Sequence, residues 1–402
     1  MSIFDRPPPA ARRCPGFRLR FTTAAIAAAV FSLAWLAGAP GNGASAFETS
    51  AKEMILVDDI TGAVMLDKNS DRSMFPASMS KLMTLYIVFN KLTEGSLSLD
   101  AQFRVSEKAW RMGGSKMFVE LNSRVTVSDL LRGVIVQSGN DACIVLAEGI
   151  AGSETQFVEL MNAASKKLGL ANSHFMNVTG WPHPEHFTTA RDLAILAHAM
   201  IRDFPQFYGI FQEKNFTFNG IKQGNRNPLL YTYPGADGLK TGYTQASGYG
   251  LTASASRGGR RLIVVANGMS NVNERAREVE RILDHGFTEY SNYTLFKAGD
   301  IVEQIEVWLG DKVNVPLIIN HDLTVTLSRT ERRDLKVKVQ APGPIPAPVN
   351  KGAEVAKLVV ISAADKKPIE FPLVAGTDVD RLSAFGRIGA AFNHLLWGEQ
   401  KR

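Results

Sequence analysis

The chain of 402 residues holds only two cysteines, and Cys14 falls within an N-terminal leader. Cys143 then stands alone, which excludes an intrachain disulfide and leaves the folded part to rest on its core. No His-Glu-x-x-His string occurs. The nearest approach, His183-Pro184-Glu185-His186, carries a proline that stops a regular helix from presenting both rings, so no metal is expected, nor any other cofactor. The Gly-x-Ser-x-Gly elbow is also missing, which disfavours a Ser-His-Asp hydrolase. No repeat of solenoid length is present. Charge of one sign is scarce once the leader is set aside: removing its five arginines and one aspartate takes the net charge from +6 to +2. Nucleic-acid binding loses its main support with them.

The leader spans residues 1–46. Arg6, Arg12, Arg13, Arg18 and Arg20 precede an apolar run from Phe21 to Ala37, and Ala44-Ser45-Ala46 follows as a small-x-small cleavage box. This is the pattern of a signal peptide, with Phe47 the first mature residue. An uncleaved anchor is the competing interpretation, since the apolar run nearly reaches spanning length.

Beyond it, Met54 to Val57 and Ala63 to Leu66 read as a hairpin around Thr61-Gly62. After Pro76-Ala77 comes an almost continuously apolar helix, Leu82 to Leu92, which has little polar face and should be buried on most sides. Helices are predicted over Val127–Val136, Ala142–Ile150, Thr155–Leu168 and Ala190–Ile201, strands over Gly248–Ser256 and Arg261–Gly268, and a helix from Glu274 that Gly286 stops. From Tyr293 onward, short alternating runs interrupted by the Pro-rich Ala341–Pro346 suggest a small all-β sandwich. At the end, Leu382, Phe385, Ile388, Phe392, Leu395, Leu396 and Trp397 share one helical face. Such a helix lies in a membrane interface or docks on its own protein; its large apolar face at a chain end favours the membrane.

Three strings carry chemistry: Ser78-Met79-Ser80-Lys81, Ser138-Gly139-Asn140 and Lys240-Thr241-Gly242. Ser78 and Lys81 are neighbours on one helical face, near an N-terminus that favours negative charge. Burial disfavours the ammonium form of Lys81, which makes it a base able to activate the serine. Taken singly, the string is equally a helix cap beside a lysine that reaches solvent. Ser138 offers a hydroxyl to relay a proton, and Asn140 an amide to hold substrate and Lys81; an interhelical turn would use the same residues. Lys240 and Thr241, shortly before the strand at Gly248, can bind a carboxylate, and Gly242 lets a substrate backbone come close so that an extended peptide adds alongside the strand.

With these strings the chain resembles the low-molecular-mass penicillin-binding proteins, serine-type D-alanyl-D-alanine carboxypeptidases with a catalytic domain, a β-sandwich and an amphipathic C-terminal anchor. Pro76 to Thr84, Ser138 to Ala142, Asp237 to Gly242, Thr188 to Ala194 and the stretch from Arg275 through Glu278 to Phe287 carry the similarity. The resemblance implies an α/β (α+β) penicillin-binding-protein/β-lactamase-like transpeptidase fold with a helical subdomain over 47–292, an all-β domain over 293–380 and an anchor helix over 381–402. It implies an acyl-enzyme on Ser78, with Lys81 as base, Ser138 as relay and Asn140 on the substrate. Lys240, Thr241 and Arg275 would hold the terminal carboxylate, and the N–H groups of Ser78 and Tyr243 would form the oxyanion hole. Peptidoglycan stem peptides would be substrates and β-lactam antibiotics covalent inhibitors, on the periplasmic face of an inner membrane. A DD-endopeptidase and a catalytically idle wall-binding module are alternatives. A β-lactamase is another, but Glu185 does not sit in the Glu-x-x-Leu-Asn string of class A enzymes. Trp181 stands where the family more usually has a smaller apolar residue.

Overall fold

The computed structural model describes residues 47–361 and 368–383, together with Ile3 and Gly386. The predicted signal peptide and most of the predicted C-terminal helix lie outside the described residues.

One antiparallel sheet organises the N-terminal two thirds. Its strands are β1 (Glu53–Asp58), β2 (Val64–Lys68), β3 (Ala236–Thr244), β4 (Gly248–Arg257) and β5 (Arg260–Met269), in the spatial order β2-β1-β5-β4-β3. Every residue of β1 is buried because both faces of the sheet are covered. Ile55 and Val57 point into the helical layer with Ile263 and Val265, while Met54 and Leu56 face the other way with Leu262 and Val264.

The helical layer comprises α1 (Lys81–Thr93), α2 (Val127–Ile135), α3 (Asn140–Ala151), α4 (Glu154–Lys167) and α5 (Ala190–Asp203). Helix α1 runs through its centre, packed by α3, α4 and α5, and residues 81 to 89 are all buried, as the missing polar face required. Thr126, Ser153 and Thr189 cap α2, α4 and α5 by accepting a backbone N–H three residues on. Helix α6 (Val272–Glu289) covers the opposite face of the sheet. It does not stop at Gly286 but runs three residues further. A Cβ at Gly286 would meet Leu56 Cδ2 at 2.6 Å and Leu262 Cδ1 at 2.8 Å, so this glycine serves close helix–sheet packing rather than termination.

Helix α6 leads directly into a second β unit. Strands β6 (Tyr290–Phe296) and β9 (Leu323–Ser328) pair with each other. A six-stranded sheet is built from β7 (Ile301–Trp308), β8 (Asn314–Ile318), β10 (Lys336–Gln340), β11 (Glu354–Ile361), β12 (Ile369–Ala375) and the two-residue Ile345–Pro346. Leu317, Leu323, Val325, Leu327, Leu358 and Leu373 fill the space between the two sheets. Strand β6 was not anticipated from the sequence, nor was the helical turn Arg329–Arg333. The buried Asp58 ties the two units together: it accepts from Arg260 Nε at 2.7 Å and Asn292 Nδ2 at 3.2 Å, and Arg260 Nη1 reaches the Tyr290 carbonyl at 2.6 Å.

Candidate active site

The turn ahead of α1 is a 3₁₀ segment, Ala77–Ser80, with Ala77 at φ +49°. It sets Ser78 one turn before Lys81, and the two side chains meet: Lys81 Nζ lies 2.7 Å from Ser78 Oγ and donates to the Thr179 carbonyl at 2.7 Å. Lys81 is fully buried, and that desolvation pulls its pKa from the ordinary 10.5 down to about 8. At neutral pH a useful share of the amine is therefore free to take the serine proton.

Ser138, in the break between α2 and α3, has φ +59° and is buried. Its Oγ accepts from Lys240 Nζ at 2.9 Å, which joins the second and third strings across 102 residues. Asn140 opens α3 and donates through Nδ2 to the Gly113 carbonyl at 2.8 Å. The neighbouring Asp141 is buried and accepts from the N–H groups of Met117, Phe118 and Val119, at 2.9, 2.9 and 3.3 Å. One carboxylate thus holds the 113–119 loop against the start of α3.

Lys240-Thr241-Gly242 precedes the strand at Gly248, which is β4, and itself lies within a further strand, β3, at the edge of the sheet. A Cβ at Gly242 would come within 2.9 Å of the Pro76 carbonyl oxygen and 3.1 Å of Met79 Cγ, so the glycine lets β3 close on the nucleophile turn. Lys240 is buried, and its pKa is pushed well below 10.5 by burial, then by the positive charges of Lys81, Arg226 and Arg275. Arg275, on α6, is buried too; desolvation lowers its pKa to about 10, and its Nε has no hydrogen-bond partner. Its guanidinium lies 5.9 Å from the Tyr249 ring, on which the half-exposed Tyr243 stacks at 4.1 Å.

The structure therefore joins Ser78 to Lys81 and Ser138 to Lys240 and sets Gly242 against the nucleophile turn, whereas Asn140, expected to hold Lys81, is bonded to the Gly113 carbonyl instead. It also adds residues that sequence reasoning missed. Arg226 bonds Ser115 Oγ through Nη1, and its own carbonyl accepts from Arg275 Nη2 at 3.4 Å. Asn227 donates to the Gly238 carbonyl at 2.8 Å, fixing this segment on β3. The available signal was Asn225-Arg226-Asn227-Pro228, a polar knot in a stretch without periodicity. Among the described residues, none of Lys81, Lys240, Arg226 and Arg275 forms an ion pair with a carboxylate. A site so arranged is built for an anion. Beside the nucleophile turn, a cavity of about 280 Å³ is lined by Phe75, Pro76, Ala77, Trp181, Pro184 and Ala246. Trp181 is half exposed at this entrance. Glu185 is exposed on the same loop and makes no bond to Ser78 or Lys81.

Residues 41–271 match the family model described as D-alanyl-D-alanine carboxypeptidase. The chain belongs to this family. Residues 290–381 match the C-terminal domain of penicillin-binding protein 5. The D-alanyl-D-alanine carboxypeptidase DacC of Escherichia coli strain K12 is 39% identical over 373 residues, covering 91% of this chain and 93% of the relative. DacA of Haemophilus influenzae is 37% identical, covering 85% and 88%. Among solved structures, penicillin-binding protein 5 from Haemophilus influenzae superimposes with a TM-score of 0.76 at 37% identity, covering 84% of this chain and all of that one. Penicillin-binding protein D2 from Listeria monocytogenes in its ampicillin-bound form gives 0.56 at 28% identity, covering 60% and 99%. The protein is thus a serine D-Ala-D-Ala carboxypeptidase with the penicillin-binding-protein fold, as the three strings implied.

Proposed function

We propose that this carboxypeptidase removes the terminal D-alanine of peptidoglycan stem pentapeptides through an acyl-enzyme on Ser78. The observation that carries the assignment of roles is the 2.7 Å contact between Ser78 Oγ and a buried lysine whose pKa is about 8. Lys81 takes the hydroxyl proton as Oγ attacks the carbonyl between the last two D-alanines. The N–H groups of Ser78 and Tyr243 hold the oxyanion. Ser138 passes the proton to the departing amine, the C–N bond breaks, and D-alanine leaves. Lys81, again neutral, then activates the water that hydrolyses the ester. The peptide lies along the edge of β3, its carboxylate on Lys240, Thr241, Arg275 and Arg226, with Asn140 on its backbone and Gly242 and Tyr243 beneath it.

A β-lactam enters by the same acylation, as the ampicillin bound to the Listeria relative suggests. The exposed position of Glu185 supplies no carboxylate for rapid water activation at the ester, in keeping with slow release. The leader and the amphipathic tail favour export to the periplasm and peripheral attachment to the inner membrane; among the described residues no helix is long and apolar enough to cross it.

Incubating the mature protein with a peptide ending in D-Ala-D-Ala, alongside a labelled penicillin, tests this function. D-alanine release and slowly decaying label, both lost in Ser78→Ala, are expected; rapid penicillin turnover without D-alanine release overturns it. Deleting residues 382–402 should free the protein from membranes, and undiminished membrane association refutes the anchor.

A further inference from the structure

Residues 174–188 form a loop whose neck is closed by a bridge between His174 and Phe187, and whose exit is tied to the body by a bridge between Met74 and Thr188. Its turn is folded around Asn177, whose Oδ1 accepts from the N–H groups of Thr179, Gly180 and Trp181 at 3.2, 2.8 and 2.9 Å. The turn is pressed onto the nucleophile segment: Gly180 has φ +80°, and a Cβ there would lie 1.8 Å from the Ala77 carbonyl oxygen.

Three side chains at the start of α1 reach this loop. Lys81 and Thr84 donate to its carbonyls, at Thr179 (2.7 Å) and Val178 (2.8 Å). Ser80 Oγ lies 2.7 Å from Nε2 of His186, and both residues are buried. The Met176 N–H points at His186 Nδ1 at 3.4 Å, which makes Nδ1 the acceptor. On that network Nε2 carries the proton and donates to Ser80.

We propose that His186 is a positioning residue for acylation: its bond to Ser80 clamps the 174–188 loop onto the nucleophile turn. The clamp fixes the Thr179 carbonyl on Lys81 Nζ and keeps water from that amine. The inference rests on Lys81 acting as the base. The clamp is suited to its task because His186 stays neutral. The charged or titratable groups facing it are His174 and His183 from its own loop and Lys81 from α1, with no carboxylate among them; burial first, then these three, holds its pKa near 4. The ring of Phe175 meets it edge-on at 5.7 Å. A donor that never charges in the working range gives a hydrogen bond of constant polarity.

The test compares the purified mature protein with His186→Ala, His186→Gln, Ser80→Ala and the His186→Ala/Ser80→Ala double variant. The second-order rate of Ser78 acylation by a fluorescent penicillin, kcat and KM for D-alanine release, and the melting temperature are followed between pH 6 and 10. Misplacing Lys81 by the order of an ångström should cost His186→Ala about 10- to 100-fold in acylation and in kcat, with KM little changed. As water reaches Lys81, the rising limb of the pH profile should move up from about 8 toward the ordinary lysine value of 10.5. Glutamine, whose amide can donate at similar reach, should restore the limb and most of the rate. Ser80→Ala adds no atom and keeps the shape of the turn; it should reproduce the limb shift, and the double variant should be no worse than His186→Ala. A folded His186→Ala or Ser80→Ala protein with an unshifted limb overturns the clamp. A wild-type profile with no limb near 8 fails the assignment of Lys81 as base instead.

Discussion

The burial of Lys81 makes a quantitative prediction about acylation. With a pKa of about 8, about a tenth of the amine is unprotonated at pH 7; at the ordinary 10.5 the share would be about 300-fold smaller. The base works only when neutral, so the acylation rate must rise with pH, by about 90-fold between pH 6 and 9, with its midpoint near 8. Stopped-flow quenching with a fluorescent penicillin gives the rate constant, and mass spectrometry confirms that Ser78 carries the adduct. In Lys81→Arg the guanidinium stays charged throughout, so the pH limb should vanish and the rate should fall on the order of 10²- to 10⁴-fold. An acylation rate flat from pH 6 to 9, or a wild-type midpoint near 10.5, would refute the argument that desolvation creates the base.

Three further outcomes follow from the same geometry. Arg226→Gln should raise KM for the D-Ala-D-Ala peptide by about 10-fold or more through loss of a partner for the carboxylate; it should also move the Lys81 limb upward, because Arg226 helps depress that pKa. Asp141→Ala strips the acceptor from the Met117, Phe118 and Val119 N–H groups and should cost about 3 kcal/mol, read as a lowered denaturant midpoint, with an unchanged midpoint counting against the carboxylate as the loop's anchor. The depressed pKa of His186 should make stability fall with acidity. Between pH 6.5 and 4 the unfolded chain takes up the proton and the folded one does not, so up to about 3 kcal/mol present above 6.5 is lost by pH 4. His186→Gln should lack this component, and identical pH–stability curves for the two proteins would rule it out.

Ser78 and Lys81 were legible because the feature that matters, a helix without a polar face, is written in consecutive residues. So were the hairpin of β1 and β2 and the short strands of the C-terminal unit. The strand around Lys240 was not. Ala236–Thr244 contains two glycines and little β-branched sequence, and its pairing with β4 decides its conformation. Gly286 misled for a related reason: propensity marks it as a stop, while contact with Leu56 and Leu262 outweighs propensity. Arg226 comes from an aperiodic segment placed by asparagine side chains, which no hydrophobic period can reveal. His186 attracted notice as half of a false metal motif; its actual partner, Ser80, is 106 residues away in the chain.

The convergence of Lys81, Lys240, Arg226 and Arg275 has a consequence for the lifetime of the folded protein. Folding gathers like charges that, among the described residues, form no ion pair with an acid, so the site opposes the compactness of the molecule that carries it. A carboxylate entering this field reverses the sign of the interaction, and occupancy becomes a source of cohesion. An inhibitor that brings a carboxylate and stays bonded to Ser78 would therefore leave the protein inactive and, at the same time, harder to unfold and to clear.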